Sequence, residues 1–365
     1  MATTSNRAVL ILADGMPAGG TERQIVALLK GFKEHCPHIY TLFGVLVKGG
    51  AREGEAHFWA NEVVSIPQSH QLDISMAWSV TGLVKKHKID IIHTFGSISD
   101  LAGVVAAKLT GAKLVNGSIR SARRRLTRRD RLSKFAMRFA DRVVANSQAG
   151  LRAFGVEKWR SVSVIYNGLD QRRFDTVKPF LHSAPYLCMV GNFTAKKDHQ
   201  ALIKAFPEIR KRFRHYHLFL IGKGELEKAC QDLIGYLGLQ ESVVIINDCS
   251  APESYIKGAA VCILLSPDGE GLSNVVMEYC VLGKPVVATN LGGNSEIIEH
   301  GVSGILLESH SQLEISRTLL ALLSDEAKCE RLANQAKQTI REKFSLERMI
   351  AEYVQLYEQL LSSDR

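Results

Sequence analysis

The residues whose types and spacing most suggest chemistry are two glutamates, Glu270 and Glu278, which lie eight positions apart. The sequence predicts a strand that ends near Ser266, a glycine-rich loop that carries Glu270, and a helix that begins around Ser273. Carboxylates accept hydrogen bonds from hydroxyl groups, while the backbone amides at a helix start bind phosphates. The segment therefore suits a sugar nucleotide, although a solvated helix glutamate and a plain loop charge fit the same residues.

Two other enzyme classes fit these patterns poorly. Paired glutamates also act as acid and base in glycosidases, where the two carboxyl groups flank the scissile bond at a set separation. Glutamates on either side of a loop–helix junction seldom face each other in that way. The first glycine-rich loop, Asp14–Gly20, does not have the G-x-G-x-x-G pattern, so a dinucleotide dehydrogenase is not supported.

Each half of the chain opens with a predicted strand that runs into a small-residue loop and then a helix. In the first half, the loop Asp14–Gly20 precedes a helix for which Thr21 and Gln24 are predicted to form a capping box. In the second half, Gly191 ends a strand, and the following loop, 192–197, contains two lysines. Both loops could hold an anion on backbone amides, and a plain tight turn is the alternative for each.

Short apolar runs recur along the chain and alternate in many places with helical patterns. The runs are continuous, as expected of parallel strands that are buried on both faces. Strand–helix alternation over 365 residues predicts an α/β protein with doubly wound domains, and this length allows two or three. The predicted domains are residues 1–175 and 185–343, joined by a linker at 175–184 and followed by a helix in 344–365. Helical spacing predicts one apolar side for that last helix, with Met349, Tyr353, Leu356 and Leu360, and one for the first helix, with Ile25, Leu28, Leu29 and Phe32. The predicted strands are Ala8–Ala13, Tyr40–Val47, Ile89–His93, Lys113–Asn116, Arg142–Asn146, Val162–Tyr166, Tyr186–Gly191, His217–Gly222, Val243–Asn247, Val261–Ser266 and Pro285–Thr289.

Charge is distributed unevenly along the chain. The formal net charge is +9, made up of +13 in residues 1–178 and −4 in residues 179–365. Much of the excess lies in the basic segment, Arg120–Arg142, which contains nine arginines and one lysine but only two aspartates. Four of its apolar residues follow helical spacing: Leu132, Phe135, Ala136 and Phe139. This pattern fits a solvated helix whose apolar side enters the core, a patch for an anionic ligand or membrane surface, or a nucleic-acid site.

The seven cysteines are scattered, with no two within three residues of each other, which fits neither a disulfide framework nor a zinc site. We therefore expect a reducing, cytoplasmic compartment. The apolar run Ala8–Ala13 is too short for a signal-peptide core, and no run approaches the length of a membrane-spanning helix. The sequence has no Asp-x-Asp motif and no His/Asp cluster, so we expect no metal.

The string Glu270–Glu278 resembles the E-x7-E motif of the retaining family 4 glycosyltransferases. Other segments are similar to that family's patterns in the same order, and together they cover almost the whole chain. These segments are Gly19–Arg23, Ala145–Ser147, Ile165–Asp170 with Phe174, Gly283–Thr289, Gly292–Gly293, Glu296 and Gly304. The resemblance implies a GT-B fold, in which two Rossmann-like domains face each other across a cleft and the C-terminal helix crosses back to the first domain.

The resemblance also implies that the second domain binds a nucleotide sugar, with a UDP-sugar as the expected donor and no cofactor. Glu270 would contact hydroxyls of the transferred sugar as a catalytic residue, Glu278 would bind the ribose, and Lys197 would stabilise the leaving diphosphate. The other implied donor-binding residues are Gly191, Asn192, Gly271, Leu272 and Ser273.

In the first domain, the resemblance implies a catalytic His93 near donor and acceptor, and it places Gly19, Gly20 and Arg120 on the acceptor side. Two positions depart from the family pattern. Asn192 stands where the family usually has arginine, so phosphate charge must rest more on Lys197, or Lys196 or Arg120 must reach in. Phe95 stands where many members have a second histidine.

The implied function is retaining, metal-independent transfer of a hexose-type sugar to a lipid-linked glycan or a polysaccharide or lipopolysaccharide precursor. The basic segment suggests that the protein works peripherally on an anionic membrane surface, at the cytosolic face. The same chemistry on a soluble small molecule, with the basic segment binding an anionic acceptor, is the alternative. A GT-B sugar-nucleotide isomerase lacks the E-x7-E pattern, and nucleic acid is not the expected partner.

Overall fold

The computed structural model describes residues 7–66 and 74–362, which form two compact units. The first unit comprises Met1–Leu169 together with Leu346–Arg365, and the second comprises Asp170–Ser345. The boundary between the two units after Leu169 therefore lies upstream of the linker predicted at 175–184. That linker belongs to the second unit. The end of the predicted C-terminal segment, residues 363–365, lies outside the described residues.

The described strands of the first unit form one parallel sheet. They are β1 (Arg7–Gly15), β2 (Ile39–Val47), β3 (Glu62–Ser65), β4 (Ile91–Phe95), β5 (Lys113–Ile119), β6 (Arg142–Ala145) and β7 (Val162–Val164). Their order is β3-β2-β1-β4-β5-β6-β7. Six of the seven correspond to predicted runs. The exception, β3, was missed because this edge strand is only four residues long and gives no continuous apolar run.

Helices cover both faces of this sheet. They are α1 (Gly20–His35), α2 (Glu53–Trp59), α3 (Ile74–Lys86), α4 (Ser97–Thr110), α5 (Arg128–Met137) and α6 (Gln148–Phe154). Successive residues of β1 point to opposite faces, so that Val9 and Ile11 pack with α1, while Leu10 and Leu12 pack with α3 and α4. Because these strands are buried on both faces, they appear in the sequence as continuous apolar runs.

The start of α1 differs from the prediction. Gly19 is the N-cap, with extended backbone, and no side chain caps the helix, so the predicted capping box of Thr21 and Gln24 is wrong. Thr21 lies inside the first turn, where its hydroxyl cannot act as an N-cap. The Glu22 carboxylate instead accepts hydrogen bonds from the backbone N–H groups of Gly19 and Glu22, while the Gln24 side chain accepts one from the N–H of Gly168 at 3.1 Å.

The second unit repeats this architecture on a smaller sheet. Its described strands are β8 (Tyr186–Val190), β9 (His217–Ile221), β10 (Val243–Ile246), β11 (Val261–Leu264), β12 (Val286–Thr289) and β13 (Ile305–Leu307). They are parallel, in the order β10-β9-β8-β11-β12-β13. The sequence did not predict β13, again a short edge strand. The helices are α7 (Arg172–Asp175), α8 (His199–Arg212), α9 (Glu227–Tyr236), α10 (Pro252–Gly258), α11 (Asn274–Val281), α12 (Asn294–Ile297), α13 (Gln312–Leu323) and α14 (Glu326–Lys343).

The last helix, α15 (Leu346–Ser362), belongs to the first unit, where it packs on α1. Its predicted apolar side is buried in the same core as α1; the residues are Met349, Tyr353, Leu356 and Leu360. The approach is close, because a Cβ atom on Gly31 of α1 would lie 2.3 Å from the Ile350 side chain. No described helix combines the length and apolar composition that crossing a bilayer requires.

Candidate functional site

An ion pair between Lys197 and Glu270 lies beyond the carboxyl ends of the strands in the second sheet. Ser266, just after β11, connects the two side chains. Lys197 Nζ donates to Ser266 Oγ at 3.3 Å, and that hydroxyl lies 3.1 Å from Glu270 Oε1. Ser266 is itself fixed by Thr289 at the end of β12, through two hydrogen bonds of 3.1 and 3.2 Å with its backbone. The structure therefore brings together two of the three predicted catalytic residues.

The charge state of Lys197 follows from two opposing influences. Burial lowers the pKa of its ammonium group from the ordinary value, and the neighbouring Lys196 acts in the same direction. The Glu270 carboxylate in direct contact favours the charged form. The two side chains remain 15% and 25% exposed. Contact with Glu270 therefore offsets part of the effect of burial, which lowers the pKa of Lys197 to about 7.

Two glycines hold the backbone of Glu270 in place. Gly292 adopts φ +64° and pairs with Glu270 in an isolated parallel bridge, and the N–H of Gly293 donates to the Glu270 carbonyl at 2.9 Å. A Cβ atom on Gly292 would lie 2.0 Å from that carbonyl oxygen. Only glycine permits this approach, which gives a physical reason for the Gly292–Gly293 pair seen in the sequence.

Helix α11 carries Glu278 and begins after its N-cap, Ser273. Glu278 is buried, and the Ser273 hydroxyl is buried without a hydrogen-bond partner. The position of the helix depends on Tyr279, a residue that the sequence analysis did not single out. Its hydroxyl accepts from the N–H of Val190 at 2.7 Å and donates to the carbonyl of Ile263 at 3.3 Å. Tyr279 thus ties the helix to β8 and β11.

An open cavity of about 340 Å³ lies at the ends of β8, β9 and β10. Its lining residues are Val190, Gly191, Asn192, Ile221, Gly222, Lys223, Asp248, Cys249 and Pro252. Lys223 Nζ donates to Asp248 Oδ1 at 2.7 Å on the exposed rim. Gly191 connects this cavity with the ion pair, because a Cβ atom there would lie 3.3 Å from the Lys197 side chain. The cavity and the ion pair are therefore neighbours along one sheet edge.

Gly271 and the buried Leu272 lie between Glu270 and the N-cap of α11, whereas His93 and the predicted acceptor-side residues belong to the first unit. His93, in β4, is fully buried; its Nδ1 lies 2.7 Å from the Tyr357 hydroxyl, and its Nε2 has no partner. Burial, with the charge of Arg120 acting in the same direction, lowers the pKa of His93 well below its ordinary value. A neutral, enclosed imidazole suits a positioning role better than contact with substrate. Its catalytic role stays a prediction.

Arg120 lies after β5 and is held by three hydrogen bonds within its own unit. Its guanidinium donates to the carbonyl of Gly117 at 2.7 Å, to Asn167 Oδ1 at 3.3 Å and to the Tyr353 hydroxyl at 3.2 Å. It also stacks over the ring of Phe95, 4.9 Å from the centroid. These contacts fix its position, and its role toward an acceptor or phosphate stays a prediction, as do those of Gly19 and Gly20.

Within residues 7–66 and 74–362, no three histidine, cysteine, aspartate or glutamate side chains converge as a metal site would require.

Two family profiles together match most of the chain. The family profile "Glycosyl transferases group 1" matches residues 170–339, and the profile "Glycosyltransferase Family 4" matches residues 18–173. Among solved structures, the crystal structure of Anabaena HepE in complex with UDP has a TM-score of 0.83 at 20% identity, covering 96% of this chain and 100% of that one. That likeness confirms the predicted GT-B class of α/β fold.

Two curated relatives have names that state a function. N-acetyl-alpha-D-glucosaminyl L-malate synthase of Bacillus anthracis is 22% identical over 82% of this chain and 83% of its own length. The lipopolysaccharide core biosynthesis glycosyltransferase LpsE of Rhizobium meliloti is 26% identical over 62% and 66%. The chain spans only 62% and 53% of the length of two Methanocaldococcus jannaschii glycosyltransferases, to which it is 27% and 30% identical.

The two family profiles meet near the boundary between the two units and together extend from residue 18 to residue 339. Both describe glycosyltransferases, and the order of the matched segments agrees with the order of the motifs in the sequence. The chain belongs to the group 1, family 4 glycosyltransferases.

Proposed function

We propose that this protein is a retaining glycosyltransferase that moves a hexose-type sugar from a UDP-sugar to an acceptor, without a metal. The observation that carries the proposal is the Lys197–Ser266–Glu270 cluster next to the cavity at Gly191. A cation and a carboxylate side by side suit a ligand in which a diphosphate is joined to a polyhydroxyl ring. HepE, which has the same fold, binds UDP, and this supports uracil as the base.

In this proposal, donor binding replaces the ion pair with two better-matched contacts. Lys197 turns to the diphosphate, and Glu270 accepts hydrogen bonds from hydroxyls of the sugar. Glu278 binds the ribose, and the amides of Gly271–Ser273 add donors to the phosphates. The uracil ring occupies the cavity lined by Asn192 and Gly222. The second unit therefore holds the donor, and the first unit holds the acceptor.

The reaction breaks the bond between the anomeric carbon and the phosphate oxygen, and the electron pair stays on the diphosphate. The sugar passes through an oxocarbenium-like state, and the acceptor hydroxyl attacks from the face that the diphosphate leaves. The hydroxyl proton passes to the departing phosphate oxygen, so the products are the glycoside and UDP. Lys197 contributes by stabilising the negative charge that grows on the leaving group.

For the acceptor, we propose a lipid-linked glycan or a polysaccharide or lipopolysaccharide precursor at the cytosolic face of the membrane. The similarity to LpsE, a lipopolysaccharide core biosynthesis glycosyltransferase, supports this class, as does the basic segment Arg120–Arg142. The second candidate is a soluble, anionic small molecule. The match to N-acetyl-alpha-D-glucosaminyl L-malate synthase supports it, because the name of that relative denotes a sugar joined to malate, a small anionic molecule, and the match covers most of both chains.

A thermal-shift panel of UDP, GDP, ADP and CMP with their common sugars tests the donor. A ligand at about 100 times its dissociation constant should add roughly 2.7 kcal/mol to the free energy of unfolding. We expect the largest shift with UDP and one UDP-sugar, and a reduced shift in Lys197→Ala. No shift with any nucleotide would contradict the proposal.

Product analysis tests the stereochemistry and the acceptor. The anomeric configuration of the product, measured by proton NMR, should equal that of the donor, and an inverted product would overturn the retaining mechanism. Sugar label from the donor should appear in a lipid extract when membranes are supplied. Label found only in small soluble products would select the second candidate.

A further inference from the structure

Helices α3, α4 and α5 lie side by side on one face of the first sheet, and each exposes large apolar side chains. Trp78 of α3 is 62% exposed. Val105 and Leu109 of α4 are 39% and 48% exposed. Just past α5, Phe139 stacks edge to face on Phe135, with ring centroids 5.5 Å apart, and both rings are about half exposed. We call the outer side of these three helices the α3–α5 surface.

The exposure of Phe135 and Phe139 contradicts one interpretation of the sequence, in which the apolar side of this helix enters the core. Their helical spacing with Ala136 allowed an apolar side directed into the core. In the structure, α5 buries Ser133, Ala136 and Met137 instead. Phe135 and Phe139 therefore contribute little to the core, and these two residues of the predicted apolar side face outward while Ala136 is buried.

The stretch of chain that contains these three helices and the strands and loops between them carries a strong excess of positive charge. Residues 74–138 contain 14 lysines and arginines but only three acidic residues. Ten of the basic side chains are exposed: Lys85, Lys86, Lys88, Lys108, Arg124, Arg125, Arg128, Arg129, Arg131 and Arg138. Exposed basic groups that surround exposed aromatic rings are typical of a surface that binds at a membrane interface.

All three acidic residues of this stretch are engaged within the protein. Asp90 accepts a hydrogen bond from the N–H of Ala8 at 2.8 Å. Asp100 is fully buried, where it accepts from Thr94 and Ser118. Asp130 caps α5 by accepting from Thr127 and lies 3.7 Å from Arg123. None of the three is placed to neutralise the exposed arginines of α5.

The surface is also built before any partner arrives. The capping box of Thr127 and Asp130 fixes the start of α5. On the inner side, α5 buries Ser133, Ala136 and Met137, which fixes its packing against the rest of the unit. Binding through this surface therefore requires no refolding of the helix.

We propose that the α3–α5 surface docks the protein on a bilayer that contains anionic phospholipids. Phe135, Phe139 and Trp78 enter the interface between headgroups and acyl chains, and the surrounding arginines and lysines contact the lipid phosphates. The purpose of docking rests on the proposed function, because a lipid-linked acceptor is found only at such a surface. Docking itself rests on the exposure and charge of the three helices.

Co-sedimentation of the full-length protein with vesicles tests the proposal. We expect binding to equimolar phosphatidylglycerol and phosphatidylcholine, weak binding to phosphatidylcholine alone, and release as salt is raised. The double variant Phe135→Ser/Phe139→Ser should bind at least about tenfold more weakly than the unaltered protein. Phe58→Ser is the matched control, since Phe58 is 66% exposed and paired with Trp59 on α2 in the same unit. It should bind normally.

A charge test is independent of the aromatic test. Arg128→Glu/Arg131→Glu should abolish binding to anionic vesicles, whereas Lys211→Glu/Arg214→Glu in the second unit should not. Equal binding of all variants would overturn the proposal. So would binding of a single-stranded oligonucleotide by a protein that ignores vesicles, because that result would make nucleic acid the partner of the basic side chains.

The readouts separate this proposal from the proposed function. UDP should raise the melting temperature of the unaltered protein and of both first-unit double variants equally, since the cavity lies in the second unit. Lost vesicle binding with a retained UDP response in the Phe135→Ser/Phe139→Ser variant is the result we expect. No UDP response in a protein that still binds vesicles would contradict the donor proposal alone. A UDP response in a protein that binds no vesicles would overturn the docking surface alone.

Discussion

Tyr357, from the last helix, forms a 2.7 Å hydrogen bond with His93 in the middle of the first sheet. The two residues are 264 positions apart in the chain, and both are buried. The rings of Phe95 and Tyr353 complete the enclosure, with centroids 4.3 and 5.2 Å from that of His93. The contact explains how the C-terminal helix is joined to the carboxyl ends of the strands as well as to α1.

Replacing Tyr357 with phenylalanine should destabilise the protein by about 1–3 kcal/mol, because it leaves His93 Nδ1 buried without a partner. Urea unfolding measures this change in the free energy of unfolding. Tyr236→Phe is the control, since Tyr236 is 87% exposed and its hydroxyl is solvated. Equal stability of the two variants would show that the His93–Tyr357 bond contributes nothing.

Asp100 should make stability depend on pH in an identifiable way. Burial raises the pKa of its carboxyl group from 3.8 to about 7, against the hydrogen bonds from Ser133, Thr94 and Ser118 that lower it. Because the folded state then holds a proton that the unfolded state releases, the stabilising contribution is present below about pH 4. It is lost as the pH rises from about 4 to about 7.

The measurable quantity is the difference in unfolding free energy between the unaltered protein and Asp100→Asn. This difference should fall between pH 5 and pH 8 by about 2.7 kcal/mol at most, because about two pKa units separate pH 5 from the pKa of Asp100 in the folded state, and one unit corresponds to about 1.4 kcal/mol. Groups common to both proteins cancel in the comparison. Asp248→Asn, at an exposed side chain, should show no such trend. A difference that rises with pH would contradict the assignment to Asp100.

The sequence predicted the fold because burial on both faces leaves continuous apolar runs in the strands. Eleven of the described strands were found in this way, whereas the two that were missed, β3 and β13, lie at the edges of the sheets. Apolar spacing also predicted the buried sides of α1 and α15. Spacing shows that residues share one side of a helix, but not whether that side faces a core, and Phe135 and Phe139 illustrate the difference.

The site was predictable only in part, for a related reason. Glu270 and Lys197 were found through a motif and a glycine loop that are local in sequence. Ser266 and Tyr279 were not, because their roles depend on contacts with residues of distant strands, Thr289 and Val190. The burial of His93 likewise depends on a helix more than 250 positions away in the chain.

Removal of either partner in the ion pair should abolish measurable turnover. Lys197→Ala removes the cation that stabilises the leaving diphosphate, and losses on the order of 100- to 1000-fold are typical for one such donor. Glu270→Gln should lower turnover while keeping the shape of the side chain. Release of UDP from the donor, in the presence of acceptor, measures both effects.

Lys196→Ala is the matched control for this pair, because it removes the same charge from the adjacent, exposed position. It should retain most of the activity, and all three variants should keep cooperative thermal unfolding. Near-normal turnover in Lys197→Ala would defeat the assignment of the site, whereas an equal loss in Lys196→Ala would show that general charge, not position, is responsible.

Gly222 tests the cavity in which the uracil ring is proposed to bind. It adopts φ +149° at the end of β9, and a Cβ atom there would lie 2.2 Å from the carbonyl oxygen of Gly191. Gly222→Ala must therefore push the Gly191 loop away from its place. We expect UDP affinity to fall at least about tenfold, which corresponds to about 1.4 kcal/mol of binding free energy. Titration calorimetry measures the affinity.

Gly238→Ala is the control, since Gly238 also has a positive φ, +65°, but its Cβ atom would meet no atom within 4 Å. It should strain the backbone without changing UDP binding, so an equal loss of affinity in both variants would place the uracil ring elsewhere.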